Sequence, residues 1–333
     1  MAAARSLRQV LDFDGVCVLT IDPATLLPTG EVVENGLPAA AMSRLMEIEL
    51  GELDYNKFTA LARAARPAAS LSEATGGKLD QSRRQRELRR PSGFEDELRA
   101  VLVSDGEAWG ALTLLRERGR LHFTEKEVRR VASLVGPLAG GLRRALLLGE
   151  SGVGDETAVG LILLGDDNSI ARANRAAHVL LDELAPEGSN DGHVPIVVQA
   201  VASRARNIAA GEAPGGAIAS ARVRARSGRW LIAHGSVLGD GPVAQVAVVL
   251  ESAHAPELAP LIAAAYGLTE RERRVTQLVA QGLSTSDVAA RLHLSAWTVQ
   301  DHLKSIFSKT GTGTRGALVA RLFFDHYAAR LSS

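Results

Sequence analysis

The chain has 333 residues, 46% hydrophobic and 23% charged, a globular balance that excludes a wholly disordered chain and, at about 150 residues per domain, a one-domain reading. Its single cysteine, Cys17, excludes a disulfide-stapled scaffold. The formal charge of zero conceals a gradient: cut at 150 and 255, the parts hold 21 basic against 21 acidic residues, 8 against 11, and 9 against 6, so a polyanion-binding element is expected after residue 255.

No uncharged run reaches the roughly 18 residues that a membrane span needs. Charges also stand near the start of the chain, where a signal peptide needs an apolar run, so a soluble cytoplasmic protein is expected. Along the chain, GVCVLTI (15–21) reads as a strand followed by a Pro-containing turn, and residues 97–119 read as a hairpin turning at Ser104, Asp105 and Gly106. Thr124 and Glu127 have capping-box spacing and open a helix with the stripe Val128, Val131, Leu134, Val135, Leu138, Leu142 and Leu146. Pro137, Gly140 and Gly141 inside it predict a kink or break. This order resembles a GAF sensory domain, with Phe94 to Leu148 carrying the resemblance.

Residues 149–156 and 251–260 read as joints, the first Gly-rich and acidic, the second with two prolines. Between them, residues 159–184 give a strand, a turn at Gly165-Asp166-Asp167-Asn168, a return strand and a helix from about Asn174. Two or three further strands lie over 221–251, with Gly228 and Gly239-Asp240-Gly241 at the turns, while 185–215 carry little pattern. This piece resembles a PAS domain. The expected organisation is a GAF-like sensory domain (1–148), a linker (149–156), a PAS-like domain (157–252), a linker (253–264) and a DNA-binding domain (265–333). The fold class is therefore α+β sensory domains, antiparallel sheets with flanking helices, followed by an all-α four-helix domain.

The segment 268–327 is the most informative. Thr269 with Glu272 and Ser284 with Asp287 have capping-box spacing, Ser295 caps a third helix, Gly282 stops the first, and His293-Leu294 makes a tight turn between the second and third. Two short helices so joined form a helix-turn-helix. On the third helix Val299, Leu303, Ile306 and Phe307 share one side, while Trp297, Gln300, Asp301, Lys304 and Ser308 fall within about 50° of a line on the other. Trp297 is expected to be partly buried against a neighbouring helix. Leu268-Thr269, Arg271-Glu272, Val275, Ala280, Gly282, Ser284, Val288-Ala289, Leu292, Ser295, Thr298-Val299, His302-Leu303, Ile306, Lys309-Thr310-Gly311 and Arg315 resemble the LuxR/FixJ-type DNA-binding domain. The GAF-like, PAS-like, LuxR-type order also resembles a group of actinobacterial regulators.

The resemblance implies a third helix in the major groove, with Gln300, Asp301 and Lys304 reading bases and Ser284, Thr298, Lys309 and Arg315 meeting phosphates. A last helix from Arg315 to about Ala328 carries more apolar residues than one face needs, which predicts a homodimer through Leu318, Leu322 and Phe323. Double-stranded DNA is the expected partner, with RNA polymerase a further one and no membrane. No effector-binding residue, catalytic residue or cofactor is assigned, and no metal, because His122, His178 and His234 lack ligand spacing.

Other motifs receive blander readings. The run Arg83-Arg84-Gln85-Arg86 with Arg89-Arg90 is expected to be a solvated face, and Cys17 a small core residue. Asp12-Phe13-Asp14-Gly15 copies the nucleophile motif of haloacid-dehalogenase-type phosphatases, with Gly165-Asp166-Asp167 able to imitate their magnesium ligands. A phosphatase using Asp12 and Asp14 is thus the alternative to a transcriptional regulator. That chemistry needs the first aspartate at the end of a buried strand, whereas here the apolar run comes after it.

Overall fold

The computed structural model describes residues 7–9, 11–148, 158–185, 194–239 and 245–323. The described chain forms two compact units: the first holds both sheets and takes in residues up to 142, 158–226 and 230–252, and the second takes in 143–148, 227–229 and the chain from Ala253 on. The expected joint at 149–156 lies outside the described residues.

The first sheet consists of β1 (Gly15–Ile21), β2 (Pro28–Glu34), β3 (Ala68–Ser70), β4 (Phe94–Ser104) and β5 (Glu107–Glu117) in the order β2-β1-β5-β4-β3. The second consists of β6 (Gly160–Leu164), β7 (Ile170–Ala173), β8 (Ser220–Arg224), β9 (Trp230–Leu238) and β10 (Gln245–Ser252) in the order β7-β6-β10-β9-β8, the same permutation repeated. Every strand pairing is antiparallel. The β4–β5 hairpin turns where expected, because Asp105 and Gly106 both take positive φ (53° and 80°), the conformation a two-residue turn between twisted strands requires. Gly15 opens β1 with its Cα so near the Asn35 carbonyl that a Cβ there would lie 2.0 Å from that oxygen. Gly15→Ala is expected to destabilise the unit by about 2–3 kcal/mol through overpacking; an unchanged melting temperature would refute this.

Helices α1 (Met42–Leu50), α2 (Phe58–Leu61) and α3 (Leu71–Ala74) lie between β2 and β4, and α4 (Glu125–Leu148) follows β5. The expected break in α4 does not occur: the helix continues through Pro137, its buried side formed by Val128, Val131, Val135 and Ala139. In the second sheet's connections, α5 (Arg175–Leu184) is capped by Asn174, whose Oδ1 accepts from the Ala177 N–H at 2.8 Å. The helix α6 (Ile196–Ala209) occupies the segment that read as patternless, and ten consecutive residues, Ile196 to Ala205, are buried. A helix enclosed on all sides has no polar stripe to reveal its period. It packs on β8, β9 and β10 of the second sheet and on α1 and β2 of the first.

The two sheets thereby share one hydrophobic core, in which Leu19 and Met46 join Val201 and Val248. They are also tied by a buried ion pair: Asp22, just after β1, accepts from the backbone N–H and the Nε of Arg222 in β8, at 2.8 and 2.9 Å.

The second unit is helical: α7 (Ala255–Ala265), α8 (Glu270–Ala280), α9 (Thr285–Leu292), α10 (Ala296–Thr310) and α11 (Arg315–Phe323). Residues 253–264, expected as a linker on their two prolines, instead supply α7. Pro256 falls in the first turn, where no N–H is needed, and Leu258, Leu261 and Ile262 bury one side of the helix. Beyond Phe323 the expected last helix lies outside the described residues.

Candidate nucleic-acid interface

The geometry of α8 to α10 follows from three caps. Thr269 Oγ1 accepts from the Glu272 N–H, Ser284 Oγ from the Asp287 N–H and Ser295 Oγ from the Thr298 N–H, at 3.3, 3.2 and 3.0 Å. Between α9 and α10 the chain reverses at His293, which adopts the left-handed conformation (φ 55°, ψ 48°), and the Leu294 N–H returns to the Ala289 carbonyl at 2.9 Å. Val299, Leu303 and Ile306 of α10 are buried, while Gln300, Asp301, Lys304 and Ser308 are exposed. Gln300, Asp301 and Lys304 make no hydrogen bond or ion pair with any described residue, so Asp301 is not neutralised by Lys304 one turn away. Trp297 is corrected: it is 74% exposed rather than partly buried.

Two of the expected phosphate contacts have other partners. Lys309 Nζ donates to Glu272 Oε2 at 2.7 Å, and Glu272 Oε1 accepts from Ser305 Oγ at 2.7 Å. Glu272 also closes its capping box by accepting from the Thr269 N–H at 2.7 Å, so one carboxylate fastens the start of α8 to α10. Burial would raise its pKa, but the hydrogen bonds from Lys309, Ser305 and Thr269 outweigh that and hold it at about 2. The capping box was legible, yet nothing in the sequence joined it to a lysine 37 residues on. Arg315 donates to the Leu283 carbonyl at 2.6 Å and to Thr285 Oγ1 at 2.7 Å, bracing α11 against the α8–α9 turn. Ser284 is exposed but bonded to Asp287, and Thr298 is partly buried with its hydroxyl on Ser295 at 2.8 Å. Leu318 and Leu322, expected at a subunit interface, are buried within this chain, where α11 meets α7, α8 and α10. Phe323 ends the described part of α11.

The first unit holds a second feature. A cavity of about 40 Å³ lies between β1, α1 and α2, with Ile196 of α6 among its lining residues. Leu19, Met46 and Phe58 line its apolar part, and Glu49, Arg89 and Arg99 its polar end. The arginine run expected to be solvated divides: Arg83, Arg86 and Arg90 are partly to well exposed, but Arg84 and Arg89 point inward and pair with Glu97, Nε to carboxylate, at 2.9 and 3.2 Å. Arg99 stacks on the Phe58 ring at 3.6 Å and pairs with Glu49 at 2.8 Å, while its buried Nε has no hydrogen-bond partner. Cys17 also lines this cavity; burial and then the Glu31 carboxylate push its thiol up to about 12, so it stays protonated at neutral pH and is a poor nucleophile.

The phosphatase alternative has no support here. Asp12 and Asp14 precede β1 and pair with Arg120, and Gly165-Asp166-Asp167 forms the β6–β7 turn of the other sheet. Among the described residues no group of three or more His, Cys, Asp or Glu side chains could hold a metal, and no helix is long and apolar enough to cross a membrane.

A helix-turn-helix whose second helix offers an unpaired polar face defines a DNA-binding protein of the bacterial regulator class. The family profile for bacterial regulatory proteins of the luxR family matches residues 267–322. Spore germination protein GerE of Bacillus subtilis is 36% identical over 55 residues, 16% of this chain and 74% of GerE. An HTH-type transcriptional regulator of Mycobacterium bovis is 48% identical over 52 residues, and the match spans 16% of this chain but 6% of that protein's length. The chain belongs to the luxR family of bacterial regulatory proteins, and its C-terminal unit is the family's DNA-binding domain. The GAF domain/HD domain protein of Geobacter sulfurreducens is similar over 45% of this chain and 93% of its own, at 18% identity and a TM-score of 0.32, a likeness too slight to carry an argument about the N-terminal unit.

Proposed function

We propose that this LuxR-family DNA-binding regulator acts as a cytoplasmic homodimer whose α10 helices read a two-fold related operator, under control of an effector bound by the N-terminal unit. The reading rests on one face of α10, where Gln300, Asp301 and Lys304 stand exposed and unpaired opposite the buried Val299, Leu303 and Ile306. In a major groove Gln suits adenine, Asp the cytosine amino group and Lys the guanine acceptors. Asp301 favours the floor of the groove over its walls, since phosphates repel a carboxylate that no cation among the described residues neutralises. Phosphate contacts fall to Ser284 and Thr298, with Lys309 and Arg315 engaged internally. The two antiparallel sheets, with helices in the order the resemblance implies, support GAF-like and PAS-like sensory folds. The cavity beside Arg99 and Glu49 is the place proposed for the effector; at about 40 Å³ it admits only a group of a few heavy atoms, or a larger one that displaces the lining side chains. Because α6 joins that cavity to both sheets, an occupant can favour one packing of the sensory unit over another, provided it binds the two unequally.

The test is selection of fragments from the host genome by the purified full-length protein, then titration of the best fragment with salt. A shared two-fold motif is expected, with Lys304→Ala relaxing preference at one position and weakening binding about tenfold. Equal binding to all fragments, released together by salt, would leave only contact with phosphates and sink the reading.

A further inference from the structure

Trp297 occupies the first turn of α10, two residues after the Ser295 cap, on the same face as Gln300, Asp301 and Lys304. At 74% exposure it is by far the most exposed aromatic residue among the described residues; Trp109 and Trp230 are 2% and 8% exposed. An indole in water forgoes a large apolar burial, and among the described residues its N–H has no hydrogen-bond partner that would account for the placement. The N-terminal turn of the second helix in a helix-turn-helix is the part that approaches base edges. Of the four bases seen from the major groove, only thymine offers an apolar group, its 5-methyl.

We propose that Trp297 is a specificity-determining residue, packing its ring on the 5-methyl group of a thymine beside the base pairs faced by Gln300 and Asp301. The inference rests on the DNA-binding reading and adds a fourth position to it, one read by shape and apolar contact rather than by hydrogen bonds. The spacing supports a continuous reading surface: positions 297, 300, 301 and 304 follow the three- and four-residue steps of a single helix face.

Two measurements test it, both on the full-length protein with its best selected fragment. In the first, each thymine of the motif is replaced in turn by deoxyuridine, which removes one methyl and nothing else. Wild type is expected to lose about fourfold in affinity at one position per half-site, the worth of a buried methyl group, and Trp297→Ala to be indifferent to that same replacement while binding the unmodified site about tenfold more weakly. In the second, acrylamide quenching of intrinsic fluorescence reports Trp297, because the other two tryptophans are buried. Quenching is expected to be strong in the free protein and to fall sharply when the selected fragment is added. A motif in which no uracil replacement depends on Trp297 overturns the proposal while leaving the DNA-binding reading intact. Trp297 already shielded in the free protein overturns it too, since the indole then has another partner. A wild type that prefers no fragment at all overturns both.

Discussion

Replacing Glu97 by glutamine is expected to lower the stability of the N-terminal unit by about 3–5 kcal/mol, the cost of leaving buried charge uncompensated. Glu97 sits in β4 with 1% exposure and meets two guanidiniums, Arg84 with 0% exposure and Arg89 with 5%. Arg99, two residues along β4, is also buried, and Glu49 and Asp54 complete a set of three cations and three anions. Burial would raise the Glu97 carboxyl, but the fields of Arg84, Arg89 and Arg99 overcome it and hold the group at about 2. For Arg84, burial works against the charge and the Glu97 and Glu49 carboxylates outweigh it, so it stays protonated. Glutamine keeps the shape and removes the charge, leaving three cations facing two anions. The pH dependence has a definite sign. A carboxyl lowered from 4.5 to about 2 contributes stability that is present above 4.5 and lost as pH falls toward 2. Wild type should therefore lose stability steeply across that window, and Glu97→Gln less so. Urea midpoints for the two proteins that coincide at pH 7 would show that the cluster contributes nothing.

That cluster also marks where the sequence ceased to be legible. The hairpin, the caps and the turn at His293 are written in residues next to one another, so local rules find them. Arg84 was not assignable in this way, because its neighbours along the chain, Arg83 and Arg86, are solvent-facing and its own partner lies thirteen residues away in a strand. The helix α6 failed for the opposite reason: wrapped by two sheets, it needed no polar face, and amphipathic period is the signal by which a helix is recognised. In α11 the surplus of apolar residues was visible, but its use was not. The segment that covers Leu318 and Leu322 includes α7, a helix whose prolines read as a joint. Trp297 departs from the usual burial of indoles, and such departures fall at surfaces with a use for them. The helical pattern separated Gln300, Asp301 and Lys304 as exposed from Val299, Leu303 and Ile306 as buried, and the structure has them so. The internal partners of Lys309 and Arg315 were not legible, because a cation near a DNA-binding helix looks the same in sequence whether it meets a phosphate or a carboxylate.

Those two roles for Lys309 give opposite results in one pair of experiments. Glu272 is 4% exposed and accepts from Thr269, Ser305 and Lys309, so Glu272→Gln weakens a helix cap and a bridge between α8 and α10 together. The expected cost to the C-terminal unit is about 3 kcal/mol, the lower end for a buried pair because the lysine side chain remains one-third exposed. Its carboxyl, held at about 2, makes this contribution one that is present above the ordinary value of 4.5 and lost as the solution is acidified toward 2. Lys309→Met removes the same bridge from the other side while keeping the stem that packs against it. If Lys309 is the brace its geometry describes, the methionine variant unfolds at lower urea, and its DNA affinity falls with salt along the same slope as wild type. A phosphate contact would instead leave the urea midpoint in place and flatten the slope of log affinity against log salt by about 0.9, one counterion's worth. The second pattern would return Lys309 to the interface and show that its bond to Glu272 adds nothing to the stability of the DNA-free protein.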